Sequence, residues 1–224
     1  MNTFLKKQIT NFYASKEILE TRMKALANYF LYGGYINVRN QYHIYIKTVE
    51  FYYHEENGEI KDPIMYHRNK YYVEGDIPYF ALLSFNSHDT GVDITFENEK
   101  KKIRASVLIR AYEILKLDNN SGKRLVWNAQ AQQFQEYKDG DKIKYNTQCL
   151  YLKRILNGFA SEGTPDITWV DDLSNFTGIT NKDIKQMTRQ GVYESENDER
   201  YKAIKGKKDK REWGFRREKE IVLH

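Results

Sequence analysis

A carboxylate that closes a run of β-branched and aromatic residues is the first feature of this chain suited to chemistry. The stretch from His43 to Tyr53 reads HIYIKTVEFYY, a composition that favours an extended strand. Side chains two apart on a strand share a face, so Glu50 is expected beside Ile44, Ile46, Thr48 and Tyr52. A carboxyl group withdrawn from water holds its proton more tightly, which suits it to general-base work near neutral pH. The strand ends just beyond Glu50, where loops assemble sites. The plain alternative is a solvated acid at a strand end.

Other candidates carry less specific signals. His67 falls in a polar, aromatic stretch read as a loop. His88, Asp89 and Asp93 lie within one short stretch, but no second histidine is near, so the spacing does not call for a metal. Asp93 to Glu97, followed by Lys100 to Lys102, offers a second chemistry: an acidic strand with nearby lysines, as a magnesium-dependent nuclease would use. Arg110 sits mid-strand among apolar residues, which points to a structural role opposite a buried acid. Asp171-Asp172 reads as a solvated turn, and Trp213 as an anchor for the C-terminal tail.

Positioning these residues requires a particular order of elements. A helical stripe of Ile18, Leu19, Met23, Leu26, Ala27, Phe30 and Leu31 runs from a cap at Ser15 to the Gly33-Gly34 stop. Strands are expected at Tyr35–Val38, His43–Tyr53, Tyr79–Phe85, Val92–Phe96 and Arg104–Tyr112. Asp62–Gly75 reads as a long loop, and Trp127–Tyr137 as a short helix. Asn146 or Thr147 caps a further helix through Leu156, and Thr180 with Asp183 forms a capping box for a helix to about Thr188. This order predicts an α+β fold: one domain spanning 1–224, with a curved, mostly antiparallel sheet, flanking helices and a basic C-terminal segment from about residue 196.

Several of these segments, taken in order, resemble the alkyladenine (3-methyladenine) DNA glycosylase family. Phe30-Leu31-Tyr32-Gly33 stands where that family has a Leu-Leu-Gly strand start. Val49-Glu50-Phe51-Tyr52 matches the end of its Val-Glu-Thr-Glu-Ala-Tyr strand. Asp62, His67, Arg68 and Asn69 match a loop carrying an Asp, a His and an Arg-Asn pair. Further on, Ala105-Ser106-Val107-Leu108-Ile109-Arg110-Ala111 resembles the family's Ala-Val-Leu-Ile-Arg-Ala strand, and Arg189-Gln190-Gly191-Val192 its Arg-x-Gly-Val segment. Trp213-Gly214-Phe215-Arg216 is similar to its Trp-then-Arg-Phe end.

The resemblance implies a monofunctional enzyme of DNA base-excision repair. Glu50 would activate the water that displaces an alkylated purine flipped out of double-stranded DNA. Tyr52 and His67 would hold the extruded base, and Arg189 would contact the backbone beside it. Phe85 would be the apolar wedge in the duplex. Arg68, Lys207, Lys208 and Arg211 would meet phosphates. Asp93 stands where the family has a pocket Asn, which changes both charge and donor pattern. No cofactor, metal, Schiff base or strand cleavage is implied, and the expected state is a monomer. Two alternatives stay open: a catalytically impaired nucleic-acid-binding relative of the same fold, and the metal-dependent nuclease.

Composition bounds these readings. At 224 residues, with 40% apolar and 30% charged content, the chain supports one buried core. Cys149 is the single cysteine, which excludes an intramolecular disulfide and a multi-cysteine zinc site. Net charge is +5, compatible with a polyanionic partner. No apolar run is long enough to span a membrane. The first residues lack the pattern of a signal peptide, so a cytoplasmic location is expected.

Overall fold

The computed structural model describes residues 4–62, 65, 78–88, 91–139, 141, 143–157, 166–189 and 211–223. Helix α1 (Phe4–Ala14) buries Leu5, Ile9 and Phe12, an i, i+4, i+7 stripe. Helix α2 (Leu19–Tyr32) buries Met23, Leu26, Ala27, Phe30 and Leu31. Ser15 is not its cap; the Ser15 hydroxyl accepts from the Glu17 N–H in the link between the helices. The Gly33 N–H closes α2 on the Tyr29 carbonyl at 2.9 Å.

Among the described residues ten strands follow: β1 (Gly34–Val38), β2 (Tyr42–Glu55), β3 (Phe85–His88), β4 (Gly91–Thr95), β5 (Ile103–Asp118), β6 (Lys123–Asn128), β7 (Gln133–Glu136), β8 (Ile167–Asp171), β9 (Ile184–Met187) and β10 (Gly214–Arg217). Helix α3 (Cys149–Asn157) lies between β7 and β8. Every ladder is antiparallel, and the strands form one sheet that curls into a half-barrel. The α+β architecture is therefore the one expected.

The long pair β2 and β5 is its spine. One end of β2 pairs with β1 and its middle pairs with β10, while β5 does the same with β6 and β4. Both long strands are irregular at the same level. The register shifts between Ile46 and Thr48, and again between Thr48 and Val49. An extra residue breaks the two-residue period and bends a strand. Before the irregularity Ile44 and Ile46 enter the core; after it Val49, Phe51 and Tyr53 do, with Val107 and Ile109 beside them. The same core takes in α1 and α2, through Phe12 and Phe30, together with Phe96, Trp169 and Phe215.

Several expected elements differ. Residues 78–84 form no strand: Ala81–Ser84 is a tight turn with Leu83 at φ +61°, held by a hydrogen bond from the Thr95 hydroxyl to the Ala81 carbonyl. In place of a helix at Trp127–Tyr137, β6 and β7 make a hairpin. Asn128 Oδ1 accepts the Gln130 and Ala131 N–H groups in its turn, and Trp127 stacks on Tyr151. The Thr180–Asp183 capping box forms, but it caps a single 3-10 turn, after which β9 pairs with β10. The end of the chain is partly woven into the sheet, with Phe215 fully buried.

Candidate active site

The strand irregularity decides what stands beside Glu50. Strict alternation would put Ile44 and Ile46 on its face; the extra residue sends them to the opposite side. Glu50 and Tyr52 instead share the non-core face with the residues across the ladders. Asp93, Leu108, Glu50 and Gly214 form one row through β4, β5, β2 and β10, and Thr95, Ser106 and Tyr52 the next. A side chain at position 214 would crowd the Met187 carbonyl at 2.9 Å, so this row carries only a glycine next to Glu50.

Glu50 is 1% exposed. Arg110 Nε and Nη2 each lie 2.7 Å from Glu50 Oε2, and the Tyr52 hydroxyl donates to the same oxygen at 3.2 Å. Glu50 is thus a buried acid bearing a guanidinium, and not a solvated one at a strand end. Burial, and then the charge of Glu50, push the Tyr52 hydroxyl well above its ordinary pKa, so it stays a donor. The charge of Asp93 acts on Tyr52 in the same direction, consistent with their shared face.

A second ionic cluster adjoins the first. Asp62, also buried, accepts from Arg189 Nη1 at 2.6 Å and Nη2 at 3.2 Å, and from Arg211 Nη2 at 3.1 Å. The Arg189 guanidinium lies 4.7 Å from the Tyr52 ring centre and 5.1 Å from that of Trp213. Arg211 lies 4.3 Å from the Trp213 ring. Further along the same strands, fully buried Arg104 binds Glu56 at 2.7 Å and Glu97 at 3.4 Å, and sits 3.7 Å from the Tyr79 ring.

The residues singled out from the sequence divide accordingly. Glu50, Tyr52 and Asp93 share one face, with Arg189 against Tyr52. Arg189 is not placed to meet a phosphate: at 2% exposure its guanidinium is turned inward onto Asp62. Phe85 is not placed as a wedge either. It pairs with Ile94 and packs on the core side, away from Glu50. Arg211, partly exposed, is engaged by Asp62, by the Lys61 carbonyl and by the Trp213 ring. His67, Arg68, Lys207 and Lys208 lie outside the described residues.

Arg110, expected opposite a buried acid, pairs with one, and that acid is Glu50. Its signal was the even spacing from Ser106 and Leu108, which could be used only once the register was known. For the nuclease alternative, Glu97 is engaged by Arg104 and by the Phe80 N–H at 2.7 Å. Among the described residues no group of three His, Cys, Asp or Glu side chains could hold a metal ion. No helix among them is long and apolar enough to cross a membrane. Set against known family models, curated proteins and solved structures, the chain matches none.

Proposed function

We propose that this protein is a DNA glycosylase that hydrolyses the bond between a damaged, alkylated purine and its sugar, acting on double-stranded DNA as a cytoplasmic monomer without a cofactor. The observation that carries the reading is the Glu50–Tyr52–Arg110 cluster. An acid and a tyrosine two residues apart on one strand, with an arginine from the neighbouring strand, meet on the face opposite the core. These are the segments in which the sequence resembles the alkyladenine glycosylases.

In this mechanism the water oxygen bonds to C1′ as the C1′–N bond breaks. The bonding electrons leave with the base, and the water's proton passes to the Glu50 carboxylate. Arg110 and Tyr52 fix the orientation of that carboxylate. A cationic alkylated base is the better leaving group, and aromatic rings attract cations to their faces. The net charge of +5 favours a polyanionic partner.

The test is release of free alkylpurine from methylated duplex DNA, leaving an unbroken abasic strand. Glu50→Gln should lower the single-turnover rate by about 100-fold or more while duplex binding persists. Equal release by wild type and variant would remove Glu50 from the mechanism; no release by wild type would remove the activity. A second reading, a duplex-binding protein without chemistry, draws on the burial of Glu50 against Arg110 and on the additional carboxylate of Asp93 in its row. It expects salt-sensitive duplex binding with no base released.

A further inference from the structure

We propose that Asp62 is a positioning residue for this site, holding the Tyr52 ring in place through Arg189; the inference rests on the functional reading above. The Asp62 side chain is fully buried and gathers cations from two distant parts of the chain, Arg189 and Arg211. What separates this cluster from an ordinary buried ion pair is that two further bonds reach the strand of Tyr52. Arg189 Nη1 donates to the Phe51 carbonyl at 3.2 Å, and the Tyr53 N–H donates to Asp62 Oδ2 at 3.3 Å.

The pair therefore grips the backbone on both sides of Tyr52, while the Arg189 guanidinium lies 4.7 Å from the centre of the Tyr52 ring. The Asp62 N–H in turn donates to His54 Nδ1 at 3.1 Å, fastening the backbone of residue 62 to the same strand. Because the Tyr52 hydroxyl donates to Glu50, a shift of the ring is passed to the acid.

The control is a buried ion pair away from this cluster, Arg217 with Glu113 at 2.6 Å. Asp62→Asn and Arg217→Met are each studied well below their own melting temperatures. Two readouts are used: the NMR signals of the Tyr52 ring and the Arg189 guanidinium, and single-turnover base release at saturating protein. Asp62→Asn should shift the Tyr52 ring signals, broaden those of Arg189 and slow release by about 10- to 100-fold, the scale of a small misplacement of reacting groups. The protein concentration for half-maximal rate should change much less. Arg217→Met should lose stability yet keep the ring signals and the rate.

If both variants lose rate in proportion to their melting temperatures, Asp62 is only a structural ion and the proposal is overturned. Unchanged Tyr52 signals in Asp62→Asn overturn it as well. If wild type releases no base, the functional reading has failed, and the NMR comparison alone decides the role of Asp62. If Asp62→Asn does not fold, Asp62→Glu keeps the charge but displaces it, and should shift the same ring signals; unshifted signals would overturn the proposal.

Discussion

Replacing Arg110 by methionine tests whether the guanidinium holds Glu50 in place. The Glu50 side chain is 2% exposed and that of Arg110 24%. Arg110→Met keeps most of the apolar stem and removes the charge, so the buried carboxylate loses its guanidinium. Breaking a buried ion pair from one side costs about 3–5 kcal/mol. Arg110 is partly open to water, which can partly replace it, so the lower end, about 3 kcal/mol, is expected. For a chain of this size that corresponds to a melting temperature lower by about 6–12 °C.

Glu50→Gln combined with Arg110→Met removes both charges and should regain much of the loss, giving a coupling of about 1.5 kcal/mol or more in the double-mutant cycle. Urea unfolding at neutral pH followed by circular dichroism measures it, with the slope of the transition checked for constancy. If Arg110→Met lies within about 1 kcal/mol of wild type and the coupling is below about 0.5 kcal/mol, the pair does not position the acid. The mechanism above would then lose its orienting group.

Alkaline pH should unfold the protein through its tyrosines. Burial is the leading cause that raises Tyr13, Tyr52 and Tyr112, and it pushes Tyr32 and Tyr53 up to about 12, against an unfolded value near 10. A folded pKa above the unfolded one means that this contribution to stability is full below pH 10 and is lost as pH rises above it. Tyrosinate absorbance should lag at pH 10–11 and then rise together with loss of the circular dichroism signal; full titration near pH 10 with the fold intact would contradict this. Phe51→Ala should cost about 3–5 kcal/mol, since the ring is fully buried and meets Phe30, Phe96 and Phe215 edge-on. A loss under about 1 kcal/mol in urea unfolding would place Phe51 outside the core.

The sequence by itself determined the local elements whose signals are periodic or steric. The stripe from Leu19 to Leu31 makes a helix whatever surrounds it, because its apolar spacing matches the helical repeat. The run around Glu50 makes a strand, because its residues are β-branched or aromatic. The Thr180–Asp183 box formed as read, since it needs only neighbouring groups. Tertiary structure decided the rest. Whether a segment after a cap continues as helix or pairs as β9 depends on β10, far along the chain. Whether Glu50 faces Ile46 or Asp93 depends on one extra residue in the β2–β5 register, and a period of two carries no record of where it breaks. Asp62, Arg189 and Arg211 lie up to 149 positions apart in the chain and meet only because β2, β9 and β10 are brought side by side. A buried charge is tolerated only where its partners arrive, and their arrival is a property of the fold.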